Sequence, residues 1–351
     1  NNKKYLDFTG GIGALSTGHC HPRIVETIHT QSNKIILAQQ NVFLSNVPQI
    51  NLTKKLLDIM PTHLNNFFYV NSGSEATDNA IKIARQYTKK QNIITLNKGF
   101  HGRTLCAMSL SSSNINYRKQ CNPLLPGIFF CNDLNTKELD NLFKHQTDYD
   151  ETAAIIIEPI QGEGGVNYIC DDFLKYIENI CKENNIMLIV DEVQTGVGRT
   201  GKWWAHQHSD IKPDIMTFAK GIASGYPFAG VVANDKIMNN LTNSLLGGTY
   251  GGNPLGCSIA AETISIIKDE NLIENANIQG NKIKKYLSNN NYIKNVRQYG
   301  LMIAIDLYYN DDRKINLLIN RLKNKGILVL LAGNNSIRIL PPLNVTNEEV
   351  H

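Results

Sequence analysis

An apolar run from Ile186 to Val190 ends in Asp191-Glu192, and a second run from Asp214 to Phe218 leads through Ala219 to Lys220. An acid and a lysine at the ends of successive strand-like segments suit one kind of chemistry. Pyridoxal phosphate needs a lysine amine for its Schiff base. It also needs a carboxylate that keeps its pyridine nitrogen protonated, so that the ring can draw electrons from a substrate carbanion. Neither residue carries the reading alone. Asn71-Ser72-Gly73-Ser74-Glu75-Ala76 adds to it, because small residues between an apolar run (Phe67 to Val70) and a helical pattern (Ala80, Ile81, Ala84) can turn backbone amides toward an anion. By itself that segment also reads as an ordinary capped turn with Ser72 or Ser74 as the cap. Beside Asp191 and Lys220 it reads as a phosphate cradle.

Phe100-His101-Gly102-Arg103-Thr104 follows another strand-like run, Ile93 to Leu96. Phe100 offers a ring to stack on a cofactor, and Arg103 a fork to grip a carboxylate, although taken singly Arg103 reads as a surface arginine. Arg338 sits between apolar neighbours in Ser336-Ile337-Arg338-Ile339-Leu340, where an arginine needs a buried acid or a ligand. Glu163, in Glu158 to Gly165, is the candidate partner. His19, His21 and His101 lack HxxxH or HxxE spacing, which points to structural hydrogen bonding and away from a metal.

The elements that must position these residues alternate in strand and helix pattern, the signature of parallel strands joined by crossover helices. Ala153 to Ile157 reads as a buried strand. Phe173, Ile177, Ile180 and Cys181 recur at helical spacing behind Asp171 or Asp172 as cap, and Ile186 to Val190 is the next strand. Glu158, Asp191 and Lys220 then fall at the carboxyl ends of strands, where open α/β sheets bind ligands. Past the turn at Gly247 to Pro254, helices are expected near 255–271, 273–289 and 313–325, with strands near 302–307, 327–331 and 336–340. The expected division is an N-terminal segment (1–44) associated with the small domain, a large cofactor-binding domain (45–255) and a C-terminal small α+β domain (256–351).

Composition narrows the class. Of 351 residues, 42% are hydrophobic, enough for a large core, and the 35 basic and 31 acidic residues are mixed along the chain. Their balance of +4 gives no footprint of a nucleic-acid binder. Seven cysteines without CxxC pairs argue against a disulfide framework or a zinc site, and for a reducing compartment. No run approaches the roughly 18 apolar residues of a membrane span. The cytoplasm is the expected setting, or the mitochondrial matrix if a leader precedes Asn1.

Seven motifs in order now make the chain resemble the class III (subgroup II) pyridoxal-phosphate aminotransferases of fold type I, with a mostly parallel sheet between helices and a smaller α+β domain. They are Gly18-His19-Cys20-His21-Pro22, Ser72 to Ala76, Phe100 to Thr104, Glu158 to Gly165, Asp191 to Gly196, Lys220, and Gly248 to Pro254. The resemblance implies that Lys220 bonds the cofactor aldehyde and that Asp191 pairs with the pyridine nitrogen. Gln194 would meet the ring hydroxyl, Phe100 and Val193 would sandwich the ring, and Ser72, Gly73 and Ser74 would hold the phosphate, with His101 and Glu158 completing the cofactor set. It further implies a homodimer with shared active sites, in which Thr249 reaches the partner's phosphate. For substrates, Arg338 would take the α-carboxylate of glutamate, Glu163 would pair with Arg338 when the donor has none, and Arg103 would grip a second carboxylate. Residues 39–43, Phe43 among them, would select the donor.

The implied reaction moves an amino group from an ω-amino acid to 2-oxoglutarate. Leu246-Gly247-Gly248-Thr249-Tyr250 and the residues around Lys220 look closest to 4-aminobutyrate enzymes, since acetylornithine and ornithine enzymes more often have His-Gly-Ser-Thr before the tyrosine. Acetylornithine, ornithine and alanine:glyoxylate aminotransferases are the alternatives within the class. An aminomutase and a non-catalytic descendant are the alternatives outside it.

Overall fold

The computed structural model describes residues 3–40, 45–308, 311–333 and 335–351. Its centre is a seven-stranded sheet of β1 (Asn66–Val70), β2 (Asn92–Leu96), β3 (Ile128–Cys131), β4 (Thr152–Ile157), β5 (Met187–Asp191), β6 (Ile215–Phe218) and β7 (Ala229–Ala233). The spatial order is β1-β7-β6-β5-β4-β2-β3. Only β7 runs against its neighbours, pairing antiparallel with both β1 and β6. The other six strands therefore point their carboxyl ends at one edge.

The composition of these strands follows from burial on both faces, which favours continuous apolar runs over alternation. Successive side chains still divide between the two sides. Ile155, Ile157, Leu188 and Val190 pack with Phe173, Leu174 and Ile177 of helix α2 (Asp171–Glu183). Ala154, Ile156, Met187 and Ile189 pack with Ala76, Ala80 and Ile83 of helix α1 (Gly73–Thr88). Ser72 caps α1 by accepting the Glu75 N–H at 3.2 Å. Asp171 and Asp172 do not cap α2. They lie in its first turn behind Cys170, where their charge still suits the positive end of the helix.

Helix α3 (Pro254–Asp269) is apolar on most of its surface and joins the largest core cluster, together with Leu52, Leu56, Trp204 and Phe218. The 255/256 division expected from sequence thus falls in its first turn. Beyond helix α4 (Leu272–Ser288), a four-stranded antiparallel sheet comprises β8 (Ile293–Tyr299), β9 (Met302–Leu307), β10 (Leu330–Ala332) and β11 (Ser336–Ile339), in the order β8-β9-β11-β10. The strand expected near 327–331 is in fact two. Ile327–Leu328 leaves this sheet and pairs with Leu6–Asp7, so the N-terminal segment is fastened to the C-terminal part. Among the described residues no helix is long and apolar enough to cross a membrane.

Candidate active site

Five parallel strands end at one cavity of about 310 Å³, within the size range of small-ligand sites. Asn71 to Ser74 follow β1, Phe100 to Gly102 follow β2, Glu158 follows β4, Val193 and Gln194 follow β5, and Lys220 follows β6. The antiparallel β7 begins at the same edge and supplies Tyr226, Pro227 and Phe228 through the turn before it.

At the floor, Asp191 is 3% exposed and faces His101, whose Nδ1 donates to its Oδ2 at 2.8 Å. Its other oxygen accepts the Val193 N–H at 3.0 Å and the Thr217 hydroxyl at 3.2 Å. Burial by itself would lower the His101 pKa, but the hydrogen bond and charge of Asp191, with Glu158 adding to them, hold it above the ordinary histidine value. Glu158 accepts the N–H groups of Phe100 and Gly162 at 2.8 and 3.0 Å. Burial nonetheless pushes it up to about 7; the charge of His101 opposes that rise and the charge of Asp191 adds to it.

Lys220 opens a short 3-10 turn with φ +46°, a left-handed conformation that costs a non-glycine residue on the order of 1–3 kcal/mol and clusters at active sites. The side chain is half-buried and lines the cavity. Crowding by protein atoms lowers its amine to about 8, and the charge of Arg338 lowers it further against the pull of Glu163, Glu158 and Asp191. A usable fraction of free base follows at neutral pH.

Arg338, 2% exposed in β11, donates to Gln194 Oε1 at 3.0 Å and to Glu163 Oε1 at 2.7 Å. Tyr117 adds a contact that no motif announced, donating from its hydroxyl to Glu163 Oε2 at 3.4 Å. Arg103 is exposed, outside the cavity lining, with its guanidinium carbon 4.9 Å from the centre of the Tyr117 ring. Thr249 is likewise exposed and away from this cavity. Phe43 lies outside the described residues.

Pyridoxal phosphate can be tested against these residues. The hydroxyls of Ser72 and Ser74 each accept a backbone N–H, from Glu75 at 3.2 Å and from Arg103 at 3.0 Å. Each keeps its own proton to donate to an anion, at the positive end of the 16-residue helix α1. The cradle is also shaped by missing side chains. A Cβ on Gly73 would come within 2.8 Å of Val193, and one on Gly102 within 2.1 Å of the Ser74 hydroxyl. With a carboxylate at the floor and an amine beside it, the residues present fit the group.

The full length, residues 1–351, matches the class-III aminotransferase family. The acetylornithine aminotransferase of Methanocaldococcus jannaschii is 38% identical over 100% of this chain and 87% of its own. A probable 4-aminobutyrate aminotransferase of Bacillus subtilis is 32% identical over 99% of this chain and 86% of its own. Among solved structures, the ornithine aminotransferase of Toxoplasma gondii, described with partial occupancy of pyridoxal phosphate at its active site, superposes with a TM-score of 0.89. It is 31% identical over 99% of this chain and 83% of that one. The chain belongs to the class-III aminotransferases and is a pyridoxal-phosphate-dependent transaminase of fold type I.

Proposed function

We propose that this enzyme moves the terminal amino group of an ω-amino acid of the N-acetylornithine kind to 2-oxoglutarate, working as a homodimer. The observation that carries the reading is the Arg338–Glu163 pair at 2.7 Å. A donor whose reacting carbon bears no carboxylate meets a cation already neutralised by Glu163. A 2-oxo acid brings its own α-carboxylate to the same guanidinium. One buried arginine so serves two substrates of different charge, which is what an ω-amino donor and a 2-oxo acceptor require. The names of relatives such as the Methanocaldococcus enzyme weigh toward acetylornithine. The Gly247-Gly248-Thr249 sequence and the Bacillus relative keep 4-aminobutyrate as the second reading.

When bound, pyridoxal phosphate supplies an electron sink for the pair released as a substrate C–H bond breaks. Asp191 would meet the ring nitrogen, and the His101 hydrogen bond to its Oδ2 fixes the carboxylate in place. Lys220, with its amine lowered to about 8, would take up at Nζ the proton released from the substrate carbon and give it back to complete the transfer. Ser72, Gly73 and Ser74 would anchor the phosphate end, Phe100 and Val193 would hold the ring between them, and Gln194 would meet the ring hydroxyl. Exposed Ile36, Leu105 and Tyr250 support the proposed dimer, with Thr249 completing the partner's phosphate site. Residues 45–255 are proposed as the cofactor-bearing domain, with 256–351 and the 1–44 segment as the smaller one.

The test is a half-reaction. Cofactor-loaded enzyme is mixed in turn with N-acetylornithine, 4-aminobutyrate, ornithine and alanine while the cofactor absorbance is followed. Fastest bleaching by N-acetylornithine, reversed by 2-oxoglutarate, is expected. Preferential bleaching by 4-aminobutyrate would move the donor to the second reading, and silence to all four would sink both.

A further inference from the structure

We propose that Tyr117 is a specificity-determining positioning residue that receives the Glu163 carboxylate when a substrate α-carboxylate takes Arg338. The inference rests on the two-substrate reading of the Arg338–Glu163 pair given above.

Glu163 is already divided between two donors. Oε1 takes the Arg338 guanidinium at 2.7 Å, while Oε2 takes the Tyr117 hydroxyl at 3.4 Å, the outer limit of a hydrogen bond. When a 2-oxo acid claims Arg338, Glu163 loses its close partner at a half-buried position. A carboxylate left there without a donor carries the cost of desolvation uncompensated. The Tyr117 hydroxyl is the donor already in contact, so a small shift of Glu163 shortens a bond that exists.

Tyr117 is held for this role. It ends the 3-10 turn Ile115–Tyr117, which Asn114 caps by accepting the Asn116 N–H at 2.9 Å. Its ring meets Phe100 edge-on with centroids 5.2 Å apart, and the Arg103 guanidinium carbon lies 4.9 Å from its centre. Burial and the charge of Glu163 raise the phenol above its ordinary value, so it remains a donor throughout the working pH range. The ring also couples the two carboxylate sites: Arg103 rests on the face of the residue whose hydroxyl steadies Glu163. The acceptor half-reaction therefore depends on Tyr117 in a way that the donor half-reaction does not.

Tyr117→Phe in the cofactor-loaded enzyme keeps both ring contacts and removes only the hydroxyl. The KM for 2-oxoglutarate is expected to rise about tenfold, with the amine half-reaction unchanged. The dissociation constant for glutarate, an unreactive dicarboxylate measured by calorimetry, should rise by a similar factor. Tyr117→Leu, which also removes the platform under Arg103, should weaken glutarate further. Unchanged glutarate binding in Tyr117→Phe, or equal shifts in the two half-reactions, would overturn the proposal. Wild-type enzyme that bound glutarate but processed no amine would instead defeat the function proposed above, so the two failures are distinguishable.

Discussion

The floor and the rim of the cavity are built on different principles. Floor residues come from strand ends: Asp191, His101 and Glu158 are at most 5% exposed, and each has more than one hydrogen-bond partner. Rim residues come from loops: Arg103 is exposed, and Tyr117 ends a single turn. A site fixed by a sheet is precise because moving one strand end disturbs its neighbours' ladders, whereas a loop can change sequence without touching the core. The proposed cofactor contacts belong to the floor, whereas the proposed substrate contacts span both, from Arg338 buried in a strand to the exposed Arg103.

Substitutions can break that division, and the largest effect is expected at Lys220. Lys220→Ala removes the proton carrier and should lower turnover by about 10⁴-fold or more, the upper range for a positioned general base. The thermal midpoint should stay within a few degrees, because the side chain faces the cavity. Single-turnover kinetics with a donor amine decide it, and retention of a few per cent of the rate would remove Lys220 from the mechanism.

Asp191→Asn should cost about 10²–10³-fold, the scale of one preorganised electrostatic contact. The amide oxygen can still accept from Val193 and Thr217, while the amide nitrogen in place of Oδ2 cannot accept from His101, so the charge and that one hydrogen bond are lost. His101 gives an independent readout. With Asp191 ionised its pKa stands above the ordinary value, so removing the charge leaves burial dominant and should move the pKa down. Imidazole titration by NMR checks the sign, and an unchanged or rising His101 pKa would mean that the pair is not coupled as described.

Capture of pyridoxal phosphate by the apo-protein tests the floor without a substitution. The neutral amine is the reactive form, and its pKa lies at about 8. The capture rate should climb about tenfold per pH unit below that value and level off above it, as a single proton dissociates. A rate still climbing between pH 9 and 10 would show that Lys220 behaves as an ordinary exposed lysine.

The same division explains what could be read from the sequence. Strands β2, β4, β5 and β6 announced themselves as short apolar runs, and the floor residues followed because Asp191 ends β5, Glu158 directly follows β4 and His101 stands in the loop after β2. Strand β7, Ala-Gly-Val-Val-Ala, has no alternation that would reveal an antiparallel insertion, and its direction is set by pairing on both sides. Strand β8, Ile-Lys-Asn-Val-Arg-Gln-Tyr, is an edge strand carrying polar residues, so it lacks the pattern of a buried one. Tyr117 stands in a loop with no neighbouring motif, and only the fold brings it to Glu163. Arg103 was legible as a type of residue, but its resting place over an aromatic ring was not.

Arg103 therefore carries the smallest prediction and the one that most sharpens the contrast. In this structure its guanidinium sits on the Tyr117 ring and is open to solvent, so a contact to a substrate carboxylate is screened and competes with water. Arg103→Ala should raise the KM for 2-oxoglutarate by about fivefold, which is about 1 kcal/mol, and leave cofactor retention unchanged. The difference between wild type and variant should shrink as salt is raised, because the lost interaction is an exposed one. No Arg103 group beyond the backbone N–H that Ser74 accepts belongs to the phosphate cradle, and alanine keeps that N–H. Loss of cofactor in the variant would thus place the side chain on the floor after all, and an unchanged KM would place it outside the site.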